Sequence, residues 1–130
     1  MATPRRLDIL IVDNNCTVRA SIKAVLSSRF PGIYIEEAET GEEALQKLEL
    51  FAPDIIFMDI QLPGKSGLEL AKTILNSHNL IVIILSSYDI PEYRDAAFKC
   101  GAHYFLSKSN STYEELVALV EAIHSQKGLP

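Results

Sequence analysis

Asp54-Ile55-Ile56-Phe57-Met58-Asp59-Ile60-Gln61-Leu62-Pro63-Gly64 is the stretch on which the reading of the fold turns. Ile55 to Met58 is apolar without alternation and too short for a helix, which predicts a strand buried on both faces of a parallel sheet. The run stops at Asp59, and Pro63-Gly64 marks a turn just beyond. In open α/β sheets, ligands and chemistry gather outside the carboxyl ends of the strands. Asp59 lies at that end. Asp54 lies at the opposite end of the same strand, roughly 16 Å away at the rise of an extended chain.

Outward from this strand the pattern repeats. Leu7 to Val12 reads as a first strand ending at Asp13-Asn14-Asn15. Val18, Ile22, Val25 and Leu26 recur at helical spacing, predicting a helix from about Cys16 to Ser28 that Pro31-Gly32 stops. Ile33-Tyr34-Ile35 begins a second strand. Thr40 followed by Glu43 resembles a capping box, and Ala44, Leu45 and Leu48 give the second helix a buried face, with its end placed at Pro53. Beyond the central strand, Leu68, Ala71, Ile74 and Leu75 mark a third helix, and Leu80 to Leu85 a fourth strand. Pro91 suits the first turn of a helix reaching about Lys99. Ala102 to Leu106 is the fifth strand, and Leu116, Val117, Val120 and Ile123 face a last helix inward. Five strand-helix alternations predict a parallel sheet with right-handed crossovers and helices on both faces.

The composition suits a single domain over residues 1–130, with the tail from about 127 either a terminus or the start of a linker. A chain of this length buries roughly two-thirds of its unfolded surface. Its net charge of -5 argues against direct nucleic-acid binding. Cys16 and Cys100 form no CxxC pair and read as reduced thiols, and His78, His103 and His124 lack zinc-ligand spacing. No run is long enough to span a membrane, and the basic start, Met1 to Arg6, is no signal peptide, so a cytoplasmic location is expected.

The strand ends carry the chemistry. A doubly wound sheet would bring together Asp13 and Asn14 after the first strand, Asp59 on the third, Ser86 on the fourth and Lys108 after the fifth. Two neighbouring carboxylates repel, which favours a divalent cation between them, and magnesium takes oxygen ligands while keeping some of its waters. With Lys108 and the Ser86 hydroxyl on phosphoryl oxygens, Asp59 is placed to attack phosphorus in line. Against this, a strand-terminal Asp often caps the following turn, a lone serine ends many strands, and a lone lysine is usually solvated. Gly64-Lys65-Ser66 mimics the end of a phosphate-binding loop, but position 59 is Asp where that loop needs glycine; a phosphate contact there is a lesser alternative.

Ile9-Leu10-Ile11-Val12-Asp13, Met58-Asp59-Ile60-Gln61-Leu62-Pro63-Gly64, Ile84-Leu85-Ser86-Ser87 and Gly101-Ala102-His103-Tyr104-Phe105-Leu106-Ser107-Lys108 together resemble the receiver domain of bacterial two-component response regulators, over nearly the whole chain. The resemblance implies a flavodoxin-like (βα)5 fold with a five-stranded parallel sheet in order 2-1-3-4-5. It implies that Asp59 accepts a phosphoryl group from a sensor histidine kinase or phosphotransfer protein, in a magnesium-dependent reaction. The implied magnesium site is Asp13, Asn14, Asp59 and the backbone carbonyl of Gln61. Ser86 and Phe105 match the family's switch pair, in which the hydroxyl moves to the phosphate and the aromatic turns inward. Gln61 and Tyr88 match positions that tune phosphate lifetime. The partners implied are a kinase, an output domain or effector, and a second copy in a homodimer. Catalysis is limited to self-catalysed phosphotransfer and dephosphorylation. Two departures stand out. Asn14 replaces the family's usual second acid, which predicts weaker magnesium binding, and Ser109 stands where many members have proline. Asn14 also leaves an alternative open: a pseudo-receiver that is never phosphorylated and serves as a protein-interaction module. An aspartyl-nucleophile phosphatase is disfavoured, because position 61 is Gln rather than a second acid.

Overall fold

A computed structural model describes residues 6–127. The readings made of the first five residues and of the tail beyond 127 fall outside that range. Five parallel strands form one sheet: β1 (Asp8–Val12), β2 (Tyr34–Ala38), β3 (Ile55–Asp59), β6 (Ile81–Ser86) and β7 (Tyr104–Ser107), in spatial order β2-β1-β3-β6-β7. Between β3 and β6 lies a two-residue hairpin, β4 (Gln61–Leu62) with β5 (Lys65–Ser66). Setting the hairpin aside, the order is the expected 2-1-3-4-5 of a flavodoxin-like fold.

Alternate side chains of each strand feed opposite layers of core. Leu10, Val12, Ile56, Met58, Val82 and Ile84 pack under α2 (Gly41–Leu48), α3 (Gly67–Ser77) and α4 (Pro91–Lys99). Ile9, Ile11, Ile55, Phe57, Ile83 and Leu85 pack under α1 (Cys16–Arg29) and α5 (Tyr113–Lys127). Ile55 to Met58 are fully buried, so the central run is apolar on both faces because both faces are covered. Each such side chain contributes about 1.5–3 kcal/mol by leaving water.

Several boundaries differ from those read in the sequence. α2 ends at Leu48, well short of Pro53, because Glu49 and Leu50 turn their amides back to Gln46 and Lys47 in a tightened last turn. The sixth and seventh strands each run later than predicted, through Ser86 and Ser107, since Ser86 and Ser107 still pair across the sheet. The capping box is shifted. Thr40 Oγ1 accepts the Glu43 amide at 3.1 Å, but the Glu43 carboxylate accepts from Glu39, one residue before the cap. Asp54 caps the far end of the sheet, accepting the Asp8 amide at 2.9 Å. No helix among the described residues is long and apolar enough to cross a membrane.

Candidate functional site

Register brings the acids level. Val12 pairs with Met58, so Asp13 and Asp59 leave neighbouring strands at the same height, and Asp59 in turn pairs with Leu85. Lys108 follows β7 directly, its amide held by the Ser86 carbonyl at 2.8 Å. Its ammonium stands 2.6 Å from Asp13 Oδ2 and 3.3 Å from Asp59 Oδ2. The structure therefore assembles Asp13, Asp59 and Lys108 into one cluster, with Ser86 ending the adjacent strand.

Asp13 caps the turn that follows its strand and also turns one carboxylate oxygen into the cluster. Its Oδ1 accepts the Asn15 amide at 2.8 Å, forming a turn into α1, where Asn15 caps the helix through Thr17 and Val18. Its Oδ2 is buried and, apart from the Lys108 charge, meets no hydrogen-bond donor among the described residues. Asp59 Oδ1 accepts the Gln61 amide at 3.3 Å. Burial raises the Asp59 carboxyl above the ordinary carboxylate range. The nearby Lys108 charge opposes that rise, and Asp13 adds to it.

These groups fit a small, hard cation. An under-coordinated buried carboxylate oxygen lies beside a second carboxylate, and one lysine neutralises only half of their charge. No group of three His, Cys, Asp or Glu side chains able to hold a metal occurs among the described residues, in keeping with an amide at the exposed Asn14. Magnesium suits so lean a set, because it retains several waters and takes only one or two protein carboxylates.

Ser86 is 2% exposed, and its hydroxyl both accepts the Tyr88 amide and donates to the Tyr88 carbonyl, each at 3.0 Å. The Tyr88 ring is half exposed and stacks on Tyr93 of α4, centroids 5.7 Å apart. Phe105 is already turned inward, at 7% exposure, with the Arg94 guanidinium 4.7 Å above its ring. Asp89 clips two loops together, pairing with Arg94 at 2.7 Å and accepting from Asn110 at 3.0 Å.

Three residues at the site escaped the sequence reading. Asn15 caps α1. Arg19, from α1, is buried and donates to the Asp13 carbonyl at 2.5 Å. Gly67 opens α3 directly against the phosphoacceptor candidate: a Cβ there would lie 1.9 Å from the Asp59 carbonyl oxygen. Asn15 carried a legible signal, a helix-capping residue type just ahead of an apolar periodic run. The other two depend on tertiary approach. Ser66, in the phosphate-loop mimic, accepts the Leu68 amide and caps α3, and Gly64 supplies the positive φ of +77° that the hairpin needs.

Residues 9–121 match the model of the response regulator receiver domain family. Among curated proteins, a transcriptional regulatory protein, YdfI of Bacillus subtilis, is 35% identical over 104 residues, covering 80% of this chain and 49% of its own length. A protein-glutamate methylesterase/protein-glutamine glutaminase of Methanosarcina acetivorans is 32% identical over 124 residues, covering 89% of this chain and 36% of its own. The chain thus spans about half or less of these relatives. Among solved structures, a response regulator structure from Chloroflexus aurantiacus superposes with a TM-score of 0.83 at 31% identity, covering 93% of this chain and 99% of that one.

Proposed function

The chain belongs to the response regulator receiver family, and on that premise we propose that it is a cytoplasmic phosphorylation switch with Asp59 as its phosphoacceptor. The observation that carries this reading is the bridging of Asp13 and Asp59 by Lys108, at 2.6 and 3.3 Å. An Asp59 carboxylate oxygen forms a bond to phosphorus. The bond from phosphorus to the donor's leaving atom breaks, and its electron pair leaves with the donor, a kinase or phosphotransfer histidine. Lys108 then pairs with a phosphoryl oxygen in place of Asp59. Asp13, Asn14, Asp59 and the Gln61 carbonyl would hold magnesium. When bound, that ion offsets the charge gathering on the phosphoryl oxygens.

The switch acts through Ser86. Its hydroxyl leaves the Tyr88 turn and donates to the phosphate, so the loop from β6 into α4 repacks. That is a shift between two packings, biased by new charge. Phe105 is already inward, so the movement belongs to Ser86, Tyr88 and the Asp89 clip rather than to inward rotation of the ring. Gln61 and Tyr88, beside the acceptor loop and the Ser86 turn, set how long the phosphate survives. The output is an attached domain, an effector protein or a homodimer, reached through the α4-side surface; the chain is a signalling module rather than a turnover enzyme. Phosphoryl addition from acetyl phosphate, with and without magnesium and beside Asp59→Ala, tests the proposal.

A second reading, an unphosphorylated interaction module, draws on Asn14 and on the lack of a three-acid cluster among the described residues. The paired lysine contacts weigh against it, since a binding module has no need to hold a partly buried lysine between two acids.

A further inference from the structure

We propose that Arg19 is a positioning residue for the cation site, acting through the backbone of Asp13; the inference rests on the magnesium reading above. Arg19 lies on α1, its side chain only 10% exposed. Its guanidinium reaches in three directions. NH1 donates to the Asp13 carbonyl at 2.5 Å, Nε donates to Glu37 of β2 at 3.0 Å, and NH2 stands 3.6 Å from Glu39 just beyond that strand. Lys23 adds a second cation to Glu37, at 3.5 Å.

The consequence falls on Asp13. Its amide already donates to the Ala38 carbonyl at 3.0 Å. With Arg19 on its carbonyl, both backbone polar groups of Asp13 are fixed, one by β2 and one by α1. Its Oδ1 is fixed as well, by the Asn15 amide. Only Oδ2, buried and faced by the Lys108 ammonium alone, remains aimed into the cluster. A ligand oxygen held this rigidly binds a cation without first losing conformational freedom. Partners that orient metal ligands from behind typically change affinity 10- to 100-fold when removed. Arginine suits the task better than lysine, because a planar fork donates along several directions at once while an ammonium is a single point.

Magnesium titration of the whole chain, followed by amide NMR shifts around Asp13–Asn15 and Asp59–Gln61, tests this. Arg19→Met keeps the aliphatic packing and removes every donor; it should weaken magnesium binding roughly 10- to 100-fold. Arg19→Lys should fall between it and the wild type. Leu26→Val, at the far end of the same helix in the core, should lower the melting temperature and leave magnesium affinity unchanged. Wild-type affinity in folded Arg19→Met overturns the inference, as does an equal loss of affinity in Leu26→Val. If Arg19→Met does not fold, Arg19→Lys decides: affinity equal to the Leu26→Val control overturns the inference, and weaker affinity supports it. A wild-type chain that binds no magnesium removes the metal reading itself, a result distinct from failure of the Arg19 step alone.

Discussion

Lys108 holds its ammonium 2.6 Å from the buried Oδ2 of Asp13, closer than to Asp59, which it approaches to 3.3 Å. The lysine thus stands in for the positive charge that two adjacent carboxylates demand, and it does so from the last strand of the sheet. Cation binding near Asp13 would release it toward Asp59. Lys108→Ala should therefore leave the two acids repelling each other. The variant is expected to be less stable at pH 7 than the wild type, and added magnesium should restore more of its melting temperature than it adds to the wild type. Equal magnesium effects on both proteins would contradict this.

Asn14 is the point at which this chain departs from the acid pair usual in its family. Asn14→Asp adds a third carboxylate to a site where Asp13 Oδ2 is already short of partners. Ligand charge count tunes affinity for hard cations, so magnesium should bind on the order of tenfold more tightly. An unchanged dissociation constant in a titration would remove Asn14 from the ligand set.

The Asp59 carboxyl is raised by burial, which fixes the sign of a pH effect. A folded-state pKa above the unfolded value means that the folded chain binds more protons between the two. Stability contributed by the protonated group is present below the unfolded value, near 3.8, and is lost as pH rises through the folded one. Asp59→Asn cannot ionise, so it should melt higher than the wild type at neutral pH, with the gap closing in acid. Urea or thermal melts across that range check it; a gap that widens on acidification would contradict it.

Gly67 faces the Asp59 carbonyl so closely that a methyl group would sit 1.9 Å from its oxygen. The neighbour is backbone and cannot swing aside, and the Gly67 amide is tied to the Ile60 carbonyl at 2.7 Å. Gly67→Ala should lose about 3 kcal/mol or more in urea unfolding, at or beyond the upper end of ordinary overpacking. Gly64→Ala meets open space and carries only the strain of φ +77°, so it should lose less.

Tyr88 lends its backbone to the Ser86 hydroxyl and its ring to Tyr93. On the proposed switch, with Ser86 turned to the phosphate, the ring would shield the phosphate from water. Tyr88→Ala should shorten the aspartyl-phosphate half-life several-fold; an equal or longer half-life would contradict that role.

The sheet was legible because its central strands are buried on both faces. Ile55–Met58 and Ile81–Leu85 leave no polar position to confuse strand with helix. The level placement of Asp13 and Asp59 followed from one topological rule, strand ends on one edge. The Pro63-Gly64 turn was legible but not the two-residue strand pairing around it, which is too short to show a pattern. The early end of α2 was not legible, since the tightened turns at Glu49 and Leu50 form without Pro or Gly. Gly67 and Arg19 were hidden for another reason: each acts on backbone that only folding brings near. The Arg94 guanidinium over the Phe105 ring was hidden as well, since that contact depends on where α4 lies.

The most direct measurement is intact mass after incubation with acetyl phosphate and magnesium, beside Asp59→Ala and a sample with the metal chelated. One added phosphoryl group on the wild type, absent from Asp59→Ala and lost on chelation, is the expected result. Phosphoryl addition that persists in Asp59→Ala, or none to the wild type at saturating magnesium with either acetyl phosphate or a phosphorylated histidine donor, would contradict Asp59 as the acceptor.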